Sequence, residues 1–184
     1  MPHSAFNLSG VLVPLVFLQS QGLYSQAKTV SVEISGNRTI TIPTKDGMPL
    51  PAEDKNIKIQ VAGLGTGPDK TDPTKRTIFW IFGFTQKQGP KITEVKIEEV
   101  YADKPDRLVT TDESPTLEKN DWSAHTESIA ISESTTPWLF EPKNSTFIFR
   151  FSVQFEGGSQ SVLYQMSTFP AQAKIYLVQP IKKK

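Results

Sequence analysis

Phe147, Phe149, Phe151, Val153 and Phe155 recur at every second position, and Thr146, Ile148, Arg150, Ser152 and Gln154 fill the places between them. Side chains alternate across a strand, so a β-strand gathers those aromatics on one face. Gly157-Gly158 follows and supplies residues that accept positive φ, as a tight hairpin needs. The returning strand then offers Val162, Tyr164 and Met166 to one face. The aromatic row is the expected centre of a core.

The same period of two recurs along the chain. Val30, Val32 and Ile34 alternate with polar residues, Ser35-Gly36-Asn37 turns the chain, and Thr39 to Ile42 returns it. Pro43 is expected to end that hairpin, because proline cannot donate to a ladder. Thr44 to Asn56 reads as a loop, and Ile57, Ile59 and Val61 as a further strand. Gly63 to Arg76 is rich in turn residues and is expected to be an exposed loop. Its glycines do not make a phosphate cradle, since Pro68, Asp69 and Pro73 stand where a helix would have to begin.

Thr77 to Phe84 (T-I-F-W-I-F-G-F) is apolar at nearly every position, as a central strand covered on both sides would be. Its expected partner in the core is the aromatic row. Thr93, Val95 and Ile97 alternate with Glu94, Lys96 and Glu98, and Val100 falls out of phase, the mark of a β-bulge. Short strands are expected at Leu108 to Thr110, around Ile129 and Ile131, and from Ala173 to Val178. Thr135 to Lys143 reads as a proline-bracketed corner. No window carries a sustained helical period.

About eight to ten short strands separated by turn signals predict an all-β antiparallel β-sandwich. An immunoglobulin-like arrangement is expected first and a jelly roll second. A chain of 184 residues fits one such domain, over residues 28–181, with the basic tail Lys182-Lys183-Lys184 after it.

Residues 1–27 form a separate problem. They contain no Lys, Arg, Asp or Glu, and Gly10 to Leu18 is an apolar run too short to span a bilayer as a helix. Ser25-Gln26-Ala27 sets small residues at −3 and −1 of a cleavage point before Lys28, the outline of a signal peptide, although a basic start is missing. The competing expectation makes Val11 to Leu18 an apolar arm or strand that pairs with a sheet edge.

Composition narrows the chemistry. A net charge of +1 gives no electrostatic footprint for nucleic acid. The absence of cysteine removes disulfides, thiolate metal sites and cysteine nucleophiles. His3 and His125 are the only histidines, too few for a histidine-based zinc site, and no G-x-S-x-G elbow occurs. Asp103 and Asp106, like Asp69 and Asp72, are interrupted by lysines and read as solvated turn residues rather than calcium ligands. No cofactor and no catalytic residue is called for, so the chain is not expected to be an enzyme. Two tripeptides, starting at Asn37 and Asn144, match the glycosylation acceptor pattern.

Recognition remains. Trp122 and Trp138 lie outside the alternating stretches, and tryptophan is enriched at protein interfaces and stacks on sugar rings. Asp121, Trp122 and His125, in an expected polar loop, together with Trp138, are the candidate binding residues for a protein or glycan partner. The expected function is a secreted or envelope-associated binding module. The alternatives are a structural subunit of a larger homo- or hetero-oligomeric assembly and, last, a hydrolase.

Overall fold

The computed structural model describes residues 27–68, 71, 76–113, 121–125 and 129–178; at 60–64, 76, 121–125 and 176–177 it describes the backbone only. Val11 to Leu18 and the lysine tail lie outside the described residues.

The chain is all-β, with antiparallel sheets. The aromatic row lies on β10 (Ser145–Phe155), whose hairpin partner is β11 (Gln160–Phe169). On its other side β10 pairs with β6 (Ile92–Val100), and β6 with β7 (Arg107–Asp112), giving the order β11-β10-β6-β7. A second sheet runs β4 (Ile57–Pro68), β5 (Arg76–Gln86) and β8 (Asp121–His125), and the two-residue β9 (Ile129–Ala130) also pairs with β5. A third, β1 (Lys28–Ile34), β2 (Arg38–Lys45) and β3 (Met48–Pro49), lies beside β11.

The core forms where β5 meets β10. Trp80, Phe82 and Phe84 project from one strand, and Phe149, Phe151, Val153 and Phe155 from the other, all buried. The rings meet edge to face: Phe82–Phe149 at 4.9 Å, Phe82–Phe151 at 5.6 Å and Trp80–Phe149 at 4.8 Å. That geometry sets the positive edge of one ring against the negative face of the next.

Bulges tune which residues reach this core. A register shift between Gln154 and Phe155 places Ile92, not Thr93, opposite Phe155, and Ile92 is buried while Thr93 is exposed. The irregularity expected near Val100 sits instead between Ile97 and Glu98, where β7 carries an extra residue, Val109, which packs against the core.

Four expectations change. Gly63 to Gly67 is not a loop but the far half of β4, in register with Thr77 to Ile81. A Cβ on Gly65 would collide with Cε2 of Phe79, so this glycine is what lets that ring lie across the strand. Pro43 does not end β2: it stands opposite Thr29, and its carbonyl accepts the Leu50 N–H at 2.8 Å. Asp46-Gly47, both at positive φ, then turns β2 into β3. The expected last strand is a helix, α2 (Ala171–Val178), and the proline corner holds a single helical turn, α1 (Pro137–Phe140).

Register also decides the two faces of β11. Phe149 stands opposite Gln165 and Phe151 opposite Leu163, so the odd residues face the core. Val162, Tyr164 and Met166 therefore line the outer face, where Val162 is 46% exposed.

Candidate functional site

Among the described residues the two short helices build the most organised surface feature. Asn144, at the mouth of β10, accepts the Ala171 N–H on its Oδ1 at 3.0 Å and so satisfies one free donor of the first turn of α2. One turn on, Lys174 points inward and is only 2% exposed. Its Nζ donates to the carbonyls of Trp138 (2.7 Å) and Lys143 (2.6 Å) and to Oγ of Ser145 (2.6 Å). An ammonium has three N–H donors and no acceptor, and all three are used. Burial pushes this lysine below its ordinary pKa; the Glu141 charge opposes that shift and the Lys143 charge adds to it. With every proton committed, Lys174 acts as a clamp between α2, α1 and β10 and is not available as a nucleophile.

Trp138 occupies the seam beneath the clamp. Its ring meets Phe147 at 5.0 Å and Phe169 at 6.2 Å, and Phe147 in turn meets Trp80 at 4.9 Å. An aromatic chain thus runs from the core to this corner. Thr136 fixes the entry to α1: its Oγ1 donates to the Ser132 carbonyl at 3.0 Å and accepts the Ser132 N–H at 3.2 Å. Leu139 turns inward and is buried, while Phe140 is 43% and Ile175 57% exposed. The corner therefore presents large apolar side chains to water on a backbone held by hydrogen bonds.

The other candidate residues lie elsewhere. Asp121, Trp122 and His125 are in β8, not in a loop: Asp121 stands opposite Thr85, Trp122 opposite Phe84 and His125 opposite Ile81. Trp138 packs on Phe147, which in turn meets Trp80. Phe84 is four residues further along β5, about 13 Å at strand rise. Along β5 the residue opposite Trp122 is thus remote from Trp80, while Ile81, opposite His125, is adjacent to it.

A second polar assembly covers the outer face of β10 and β6. Arg150 donates to Oε2 of Glu98 through Nε (3.0 Å) and Nη2 (2.7 Å), and its Nη2 lies 3.3 Å from Asp106. Burial opposes ionisation of Glu98, but the hydrogen bonds from Arg150 and Lys96 outweigh it and hold the carboxyl below its usual range. Asp106 is not the solvated turn residue expected. It accepts from Oγ of Ser35 at 3.0 Å, and Arg38 approaches at 3.4 Å, which ties the β1–β2 hairpin to the body. On the opposite face of β6, where Glu99 stands across from Phe149, Arg107 holds Glu99 at 2.7 Å, and burial together with Glu99 pushes the Tyr101 phenol up to about 12. Every charge in this assembly faces an opposite one, the arrangement of a structural network.

Among the described residues no group of three or more His, Asp or Glu is placed to hold a metal ion, and no helix is long and apolar enough to cross a membrane. Comparison with protein-family models, with curated proteins and with solved structures finds no match.

Proposed function

We propose that this chain is a non-catalytic β-sandwich, immunoglobulin-like in the way its β5 and β10 sheets face one another, that binds a protein partner through the α1–α2 corner. The observation that carries the reading is the exposure of Phe140 and Ile175 beside a fully hydrogen-bonded Lys174. Exposed apolar side chains on a pre-ordered backbone lose little conformational entropy on binding, which favours recognition. A protein surface suits the corner better than a glycan, because a sugar platform needs a free indole face and Trp138 already packs on Phe147 and Phe169.

The test is a Phe140→Asp/Ile175→Asp variant compared with the wild-type chain in pull-downs from the native source. An unchanged melting temperature with loss of a wild-type-specific partner supports the reading. Equal recovery of that partner by both forms overturns it.

A secreted or envelope location fits the signal-like start. N-terminal sequencing of native material should read Lys28; an intact Met1 removes the argument. A structural subunit of a larger assembly is the second reading, favoured by the position of β1 at the edge of its sheet among the described residues. Deleting residues 1–27 should then abolish assembly and leave a folded monomer.

A further inference from the structure

Edge strands expose unpaired N–H and C=O groups, and proteins blunt them with prolines, bulges, glycines or covering segments. The edges whose side chains are described differ in this respect. β4 carries a bulge between Ile59 and Val61 and ends in Gly67-Pro68; β7 carries a bulge at Val109; β3 ends in Pro49; β11 has β2 and β3 beside it. Among the described residues β1 has no proline, glycine, bulge or covering segment, and its charges are Lys28 and Glu33. Its seven residues run in unbroken register from Lys28 opposite Thr44 to Ile34 opposite Arg38. Both of its faces are open at the Lys28 end, and Val30, on the side of the buried Ile34 and Ile42, is 43% exposed. Its far end is held to the body by the Ser35 N–H on the Tyr101 carbonyl (2.7 Å) and by Asp106.

We propose that β1 pairs antiparallel with β1 of a second copy of this chain, about a two-fold axis at Ser31, joining two three-stranded sheets into one. The sequence fits its own reverse in this register. Val30 falls opposite the partner's Val32, Val32 opposite the partner's Val30, Thr29 opposite the partner's Glu33, and Ser31 opposite the partner's Ser31. Directly opposed residues of an antiparallel pair share a face, so the valine pairs lie on the side of Ile34, where Lys28 falls opposite the partner's Ile34, and the threonine–glutamate pairs lie on the other. No like charges oppose each other. Moving the axis to Val30 or Val32 pairs fewer residues of β1, and moving it to Glu33 sets Glu33 against its own copy. The proposal concerns β1 alone, so it stands or falls independently of the α1–α2 corner.

The register makes the test specific. Opposed Cα atoms in such a ladder lie about 4.5–5.5 Å apart, within the disulfide range of about 4.4–6.8 Å. The chain has no cysteine of its own, so an engineered one is the only thiol present. On the full chain, S31C is expected to form a reducible covalent dimer under mild oxidation at least tenfold faster than T29C, whose opposite residue is Glu33. Light scattering on the wild-type chain should show a mass rising with concentration toward twice 20.5 kDa. S31D places like charges face to face on the axis, and should shift the dimer dissociation constant at least tenfold, while its melting temperature matches the wild type's at concentrations where both are monomeric. A wild-type chain that stays monomeric at all concentrations overturns the proposal, including the case where its own first residues occupy the β1 edge. So does T29C cross-linking as fast as S31C, or an S31D dimer as tight as the wild type.

Discussion

Replacing Phe149 by alanine tests the aromatic core at its most enclosed point. The side chain has no exposed surface, and its ring meets Trp80 at 4.8 Å and Phe82 at 4.9 Å, both edge to face. Truncating a buried phenylalanine costs about 3–5 kcal/mol from lost transfer energy and the cavity left behind. Two aromatic pairs, at about 0.5–1.5 kcal/mol each beyond area, place this site in the upper half of that range. Domains of this kind are stable by only about 5–15 kcal/mol, so the variant should unfold at a far lower urea concentration. Far-UV circular dichroism should follow the transition, because the fluorescence of Trp80 changes with the mutation itself. Phe149→Leu keeps most of the volume and should cost about 1–2 kcal/mol. Val162→Ala, on the outer face of β11, should stay within about 0.5 kcal/mol. A Phe149→Ala loss below about 1 kcal/mol would mean that the aromatic row faces water and that β5 and β10 do not meet as described.

Three further outcomes follow from other parts of the structure. Lys174→Met leaves the Trp138 and Lys143 carbonyls and the Ser145 hydroxyl without their donor, and should cost about 2–4 kcal/mol, with faster hydrogen exchange in α2 and α1 before the sheets. Glu98 has a folded pKa below its ordinary 4.5, so its contribution is complete above that value and is lost as pH falls through the folded one; Glu98→Gln should flatten the acid side of the stability curve. Gly65→Ala drives a methyl into the Phe79 ring and should cost about 1–3 kcal/mol in a urea titration, and a neutral result would contradict that ring's placement across β4.

The aromatic hairpin and the doubly apolar Thr77 to Phe84 stretch were legible because period-two patterning carries the face directly. The parity of β11 was not. Its apolar Val162, Tyr164 and Met166 point outward, and the inward positions opposite Phe149 and Phe151 hold Gln165 and Leu163. Gln165 is tolerated inside because its Oε1 accepts the Ala52 N–H at 2.8 Å, a partner 113 positions away. The helix α2 escaped for a related reason. A-Q-A-K-I-Y-L-V is short enough to fit a strand as well as a helix, and what fixes it as a helix is the Asn144 contact at its start and the reach of Lys174 to residues around 138–145. Gly63 to Gly67 looked like a loop because glycine lacks strand propensity, yet pairing with β5 and the Phe79 ring over Gly65 make use of the missing Cβ. Of the candidate residues, Trp138 alone was found beside the corner proposed for binding; Phe140 and Ile175 carried no signal beyond being apolar in segments read as a corner and a strand.

Photo-cross-linking in the native source tests the proposed recognition surface most directly, with a photoreactive phenylalanine analogue placed in turn at 140, 175 and the comparably exposed 162. The account predicts one discrete protein adduct from positions 140 and 175 and none from 162. An adduct from 162 with none from either corner position would contradict it.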